Sequence, residues 1–213
     1  MKSPSPFSAA QMTLARKLGT STLYEASGLT SSSVDPAIRT LWAGASIAGP
    51  AYPVECSPGD NLAIHIALKN VPRGSVLVVG AGGFVTGYWG EVLTVAAEAA
   101  GVEGLVIDGG VRDIAAMTAR RFPVFTRGIS MRGTVKASAP SVGLPIHLAG
   151  TPVKAGDLVV ADDDGVLILP VDRVEAALSK GQQRAGKEEE FMRQLAKGKT
   201  TFELLGLQDG TRQ

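Results

Sequence analysis

Two short, uninterrupted apolar runs, "SVLVVGAGG" from Ser75 and "GLVIDGG" from Gly104, constrain this chain more than any other feature. Each is too short for a core helix and is stopped by glycines, the pattern of a strand buried on both faces. Between them, "GEVLTVAAEAAG" carries apolar residues at helical spacing, which predicts a helix from Glu91 to Ala100 closed by Gly101. A further helix, from Asp113 to Arg120, leads into "FPVFTRG". Strand, helix, strand, helix in this order predicts βαβ units with parallel pairing, and ligands of such sheets sit at the carboxyl ends of the strands. Three glycine-bearing segments qualify for that edge: "VVGAGG", "GYWGE" and "IDGGVRD".

The flanks read differently. Pro4 and Pro6 predict a flexible arm over residues 1–7, then a helix from about Ser8 to Leu18. A second, short helix capped by Thr20 or Ser21 ends at Gly28. "AGASIAGPAYPVEC" mixes β-branched residues with glycine and proline, as a strand with bends does. In "SPGDNLAIHIALKNV", Pro58-Gly59 makes a turn and Asp60 serves as N-cap of a helix. Later, "DLVVADDDGVLILP" reads as a hairpin, and a long charged helix occupies 171–200. The expectation is one compact α/β domain over residues 1–213, with a strand-rich second half and a C-terminal helix.

Composition narrows the function. A formal net charge of +1 leaves no electrostatic footprint for nucleic acid or anionic lipid. The N-terminus has no apolar signal-peptide core, and no run approaches the roughly 18 apolar residues of a membrane span, so a cytoplasmic protein is expected. Cys56 is the single cysteine, which excludes a disulfide framework, and its apolar surroundings place it in the core. His65, inside "LAIHIAL", and His147 read as core or interface histidines and make a poor case for zinc. "VVGAGG" lacks the full dinucleotide fingerprint, although Asp108 ends the next strand. "ADDDG" lacks the loop of a calcium site and is read as a turn. Serine-nucleophile, Walker and zinc-protease motifs are absent.

Carboxylates and a guanidinium remain. Arg112 and Asp113 can serve one site only if the chain has turned, and Gly109-Gly110 just upstream is the expected turn. Asp113 also stands where an N-cap of the next helix would stand. Glu91, in a first helical turn, is favoured by the macrodipole alone. Alternatively, the amides of "GYWGEV" hold a substrate carboxylate, and Glu91 beside that anion then requires a cation between them. Oxygen ligation favours Mg²⁺ or Mn²⁺ over zinc.

"STLYEASG", "GDNLAIH", "GYWGEVL", "GLVIDGGVRD", "FPVF", "GTVKAS" and "GDLVVADDDGV" occur in the order seen in the class II pyruvate aldolases. Over roughly Thr20 to Glu190 the chain resembles those acting on 4-hydroxy-4-methyl-2-oxoglutarate and 4-carboxy-4-hydroxy-2-oxoadipate. The broader group includes the regulator of ribonuclease E activity, a non-catalytic protein-binding relative and the alternative reading of this chain. The resemblance implies a swivelling-type α/β domain, a homotrimer or dimer of trimers, and active sites at subunit interfaces, where the C-terminal helix contributes. It implies cleavage of a C–C bond of a 2-oxo acid, by aldol cleavage or oxaloacetate decarboxylation, with a divalent metal and a pyruvate enolate.

Residue by residue, the resemblance implies that Arg112 binds the keto acid and its enolate together with the amides of Gly90, Glu91 and Val92. Asp113 helps hold the metal, joined by Glu188 or Glu189 from a neighbouring subunit. The family pattern is an Asp, twenty residues, then Arg-Asp; here Glu91 stands in the first position with the same spacing. Glu91 is thus implied to assist the base for the 4-hydroxyl, with a carboxylate one methylene longer. The ribonuclease regulators lack the acidic member of the Arg-Asp pair, so Asp113 favours an enzyme.

Overall fold

In the computed structural model, which describes residues 5–208, the chain begins with α1 (Ala9–Ser27), β1 (Arg39–Thr40), β2 (Ile47–Glu55), α2 (Leu62–Asn70) and β3 (Val76–Gly80). It continues through β4 (Gly87–Trp89), α3 (Glu91–Ala100), β5 (Gly104–Val111), α4 (Ile114–Ala119) and β6 (Val124–Ile129). The second half supplies β7 (Ser141–Val142), β8 (Ile146–Leu148), β9 (Thr151–Val153), β10 (Leu158–Asp162) and β11 (Gly165–Leu169). Two helices follow, α5 (Val174–Leu195) and α6 (Thr201–Leu204).

The two apolar runs are neighbouring parallel strands. β3 pairs with β5 from Val76↔Gly104 to Gly80↔Asp108, and β5 pairs in parallel with β6. The main sheet runs β1-β6-β5-β3-β2-β10-β11, with β4 beside β5 and β7 beside β2. β8 and β9 form a separate hairpin. β2 pairs antiparallel with β10 through its first half and parallel with β3 through its second. At Pro50 and Pro53 it pairs on one side only, so a missing N–H leaves no gap in a two-sided ladder.

The sheet carries apolar side chains on both faces. One face, with Val54, Leu77, Val79, Leu105 and Ile107, is covered by α2, α3 and α4. The other, with Val76, Val78, Val106 and Phe125, is covered by the β8–β9 hairpin and the segment before β1. α1 and α5 pack on β10 and β11 in a third cluster. Burial on both faces is why β3 and β5 read as continuous apolar runs.

Elements that depend on local periodicity fall where the sequence puts them. α3 spans Glu91–Ala100 and ends at Gly101, whose φ of 76° suits a residue without a side chain. The two expected N-terminal segments do so too: the helical backbone of α1 is interrupted at Gly19 (φ 76°, ψ 169°), between them, and the second ends at Gly28. What differs is the start of the second segment. Thr20 caps nothing; its N–H and hydroxyl donate to the Asp162 carboxylate at 2.8 and 2.6 Å. The acidic turn is consumed in the same way, since Asp163 accepts from the Gly44 amide and Asp164 from the Ser21 hydroxyl. That leaves the hairpin reading of "ADDDG".

The long C-terminal helix is likewise shorter than 171–200. A 3₁₀ turn (Val171–Arg173) precedes α5, and Thr200 with Glu203 forms a capping box that starts α6. Of the expected arm, residues 1–4 lie outside the described residues. Phe7 is buried against the α1 cluster and anchors the arm's last residue.

Candidate functional site

The site is built by the overhang of β5. That strand continues beyond its pairing with β3, and its last residues pair with β4 at Gly110↔Gly87 and Val111↔Trp89. The Arg112 amide then donates to the Trp89 carbonyl at 2.8 Å, which sets the end of β5 against the start of α3. Trp89 is fixed by a hydrogen bond from its Nε1 to Thr94 Oγ1 at 2.8 Å and by stacking on Phe122. Gly109 and Gly110, the expected turn, lie inside the strand instead; a Cβ on Gly110 would come within 2.5 Å of the Thr86 carbonyl. The turn falls at Asp113, which adopts left-handed backbone (φ 59°, ψ 41°). Arg112 and Asp113 thereby reach one place.

Asp113 occupies the N-cap position of α4, yet its side chain does not cap that helix. Oδ2 accepts instead from the Glu91 amide at 3.1 Å, so the carboxylate caps α3. A Cβ on Gly90 would overlap this carboxylate, which explains a glycine whose backbone is otherwise ordinary extended chain. Asp113 Oδ1 takes no hydrogen bond among the described residues. The Arg112 guanidinium, with Nε 3.9 Å from Asp113 Oδ2, is half exposed.

Gly90, Val92, Arg112 and Asp113 line a cavity of about 250 Å³ together with Asn61, His65 and Lys136. Its charged side chains are two cations, Arg112 and Lys136, against one carboxylate. His65 is exposed to this cavity, which corrects the core half of its reading as a core or interface histidine. Partial burial, and secondarily the charge of Lys136, lowers its pKa from the ordinary 6.5, which favours the neutral imidazole. The cavity is therefore suited to an anion.

Periodicity could not disclose Asn61 and Lys136, because their proximity depends on Asp60. The buried Asp60 carboxylate accepts from the Leu62 amide at 2.9 Å and from the Ala137 and Ser138 amides at 2.8 and 2.7 Å. Asn61, and not Asp60, is the N-cap residue of α2. Asn61 Nδ2 donates to the Tyr88 carbonyl at 2.9 Å, and Tyr88 Oη accepts from the Gly59 amide at 2.7 Å. Asp60 thus clamps the "TVKAS" segment beside the start of α2. No local sequence signal pairs residue 60 with residue 137.

Two candidates sit apart from the cavity lining. Glu91 contributes its amide to Asp113, while its side chain pairs with Arg120 at 3.4 Å. Glu188, on α5, is 2.8 Å from Arg184, which also pairs with Glu25 of α1. Glu189 in the adjacent register has no side-chain partner among the described residues. Asp108 is ion-paired with Arg127, which also binds Asp35 at 2.9 Å, so its carboxylate serves the fold and not a nucleotide. Cys56 is buried, as expected, and burial with neighbouring Glu55 and Asp60 pushes its thiol up to about 12.

Among the described residues, no cluster of three or more His, Cys, Asp or Glu side chains is arranged to hold a metal. A cation here would rest on the open oxygen of Asp113 with waters and ligand oxygens. That donor set fits Mg²⁺ or Mn²⁺, which keep several waters, and not an all-protein zinc cage.

Residues 20–168 match a family model described as RraA-like, Aldolase/RraA. A protein of Halalkalibacterium halodurans, provisionally named 4-hydroxy-4-methyl-2-oxoglutarate aldolase, is 35% identical over 153 residues, 71% of this chain and 73% of that protein. The crystal structure of an uncharacterized Pseudomonas syringae protein superposes with a TM-score of 0.83 at 27% identity, covering 94% of this chain and 96% of the other. Streptomyces coelicolor RraAS2, described as an unusual member of the RNase ES inhibitor RraA family, gives a TM-score of 0.78 at 26% identity, over 88% of this chain and 98% of its own.

Proposed function

The chain belongs to the RraA-like, Aldolase/RraA family, and from that premise we propose that it is a divalent-metal-dependent lyase cleaving a C–C bond of a 2-oxo acid. The activities are aldol cleavage of a 4-hydroxy-4-methyl-2-oxoglutarate-type substrate, decarboxylation of oxaloacetate, or both. One observation carries the reading: a half-exposed guanidinium and an open carboxylate oxygen, from Arg112 and Asp113, meet the start of α3 in a cavity of net positive lining.

In this reading the substrate's 2-oxo acid end lies against Arg112 and the amides of Gly90 and Val92, since the Glu91 amide is already engaged by Asp113. Arg112 faces the oxygen on which charge develops when the distal bond breaks, the point where fixed positive charge lowers a barrier most. Asp113 holds the cation, joined by Glu188 or Glu189 from α5 of a neighbouring copy. When bound, that cation polarises the 2-oxo group as a Lewis acid. Aldol cleavage additionally requires loss of the 4-hydroxyl proton, to water assisted by Glu91.

Assembly as a homotrimer or dimer of trimers accords with the exposed apolar side chains near the cavity. Val92, Ile129, Met131 and Val135 are all more than half exposed. A cytoplasmic location follows from the small-molecule chemistry and belongs to the same proposal.

A second reading has its own support in the similarity to RraAS2: a non-catalytic protein-binding regulator of ribonuclease E activity. The Asp113 carboxylate at the cavity favours the enzyme. Pyruvate release from a panel of 2-oxo diacids, with and without Mg²⁺, separates the two. Metal-dependent release that disappears in Arg112→Ala supports the lyase. No release from any substrate, together with a complex with an RNA-degrading partner, overturns it.

A further inference from the structure

Arg120 stands at the end of α4, and its guanidinium spans two carboxylates of α3. Nη1 lies 2.9 Å from Glu98 Oε2, and Nε lies 3.4 Å from Glu91 Oε1. Glu91 and Glu98 are two helical turns apart and share a face of α3, so one arginine reaches both. The consequence is directional. Gly90 and Val92 on either side of Glu91 line the cavity, and the Glu91 amide binds Asp113, yet neither the Glu91 side chain nor Arg120 belongs to the lining.

The three side chains are between 36% and 47% exposed, so the pairing is reversible. Exposed ion pairs of this kind bias an equilibrium by up to about fivefold. A glutamate at position 91 has the reach and the rotatable bonds to alternate between Arg120 and the cavity lip. An aspartate would draw the carboxylate back toward the start of α3.

We propose that Arg120 is a positioning residue that parks the Glu91 carboxylate outside the cavity and so biases the site toward decarboxylation over aldol cleavage. The inference rests on the function proposed above. In aldol cleavage the C3–C4 bond breaks, its electron pair becomes the enolate, and the 4-hydroxyl proton passes to a base as C4–O becomes a carbonyl. Decarboxylation of oxaloacetate breaks the bond to departing CO₂ and leaves the same enolate with no hydroxyl proton to remove. Only the first step needs Glu91.

The test compares wild type, Arg120→Met, Arg120→Lys and the double variant Arg120→Met/Glu91→Gln. Two readouts are taken: the ratio of kcat for aldol cleavage to kcat for decarboxylation, and Mn²⁺ affinity by electron paramagnetic resonance without substrate. Arg120→Met is expected to raise the ratio about fivefold and to tighten Mn²⁺ by a similar factor, because the freed carboxylate joins Asp113. Arg120→Lys returns both toward wild type, and Glu91→Gln cancels both gains. An unchanged ratio and affinity in Arg120→Met, or gains that survive Glu91→Gln, overturn the inference while leaving the lyase standing. If wild type turns over neither substrate, the lyase fails, and the Mn²⁺ arm alone decides: tightening cancelled by Glu91→Gln keeps the Arg120–Glu91 relationship, and no shift rejects it.

Discussion

Asp113 Oδ2 accepts the main-chain N–H of Glu91 at 3.1 Å, so the residue in the N-cap position of α4 caps α3. This one bond ties the end of β5 to the start of α3 and brings Arg112 to the cavity between them. It also makes the site sensitive to small changes at three positions.

Asp113→Asn keeps an acceptor for the Glu91 amide and removes the charge. Mn²⁺ affinity is expected to fall by at least roughly 10- to 100-fold, with the melting temperature little changed. Gly90→Ala reaches the same endpoint by a different route, because its Cβ displaces the Asp113 carboxylate. Isothermal titration with Mn²⁺ checks both, and wild-type affinity in either variant contradicts the placement of the cation.

Arg112→Ala is expected to lower kcat for pyruvate release about 10²–10³-fold, the usual loss when a group stabilising developing negative charge is removed. Arg112→Lys recovers only part of it, since an ammonium does not reproduce the planar fork. Chelation of the metal abolishes release and added Mg²⁺ restores it. Steady-state kinetics on both variants read the outcome.

His65 should titrate below its ordinary value of 6.5, from partial burial first and Lys136 second. Lys136→Met is therefore expected to raise the His65 midpoint, as seen by proton NMR of the imidazole. Because the folded pKa is lowered, the neutral form is favoured. The associated stability is present above the unfolded value and declines as pH falls below it. A midpoint that ignores Lys136→Met would place the lysine elsewhere.

Asp60 is held below its ordinary value of 3.8, foremost by the Leu62 amide and then by Ala137 and Ser138. Its stabilising contribution is present above that value and lost as pH falls through the lower folded one. Asp60→Asn should flatten the acid limb of the stability profile, followed by thermal melts from pH 2 to 6. It should also loosen Lys136 and weaken substrate use by up to roughly a hundredfold.

Cys56, buried and pushed up to about 12, is expected to resist alkylation in the native protein at pH 8 and to react fully in denaturant. Mass spectrometry after iodoacetamide treatment distinguishes the two.

Much of the fold was legible before the structure. α3, with its bounds at Glu91 and Ala100, and the parallel pairing of β3 with β5 depend on residues near one another in sequence. The break at Gly19 between the two N-terminal segments was legible too, whereas the bond from Thr20 to Asp162, far along the chain, and the break before Thr200 were not. The site was half legible. Arg112, Asp113, Gly90 and Val92 were singled out and do line the cavity, whereas Asn61, His65 and Lys136, though inside the motifs quoted, were given no role in the site.

The sequence by itself determined the central βαβ elements, their parallel pairing and the β10–β11 hairpin, because alternation, helical spacing and glycine stops act over a few residues. It also placed an arginine and a carboxylate at the end of a buried strand. The tertiary structure alone decided how those groups are used. Left-handed backbone at Asp113 turned that carboxylate onto α3, Asp60 drew a distant lysine to the same cavity, and Arg120 took the Glu91 side chain out of it. Each is a contact between segments 22 to 78 residues apart or a backbone choice dictated by packing, and such choices are settled only when the whole chain has folded.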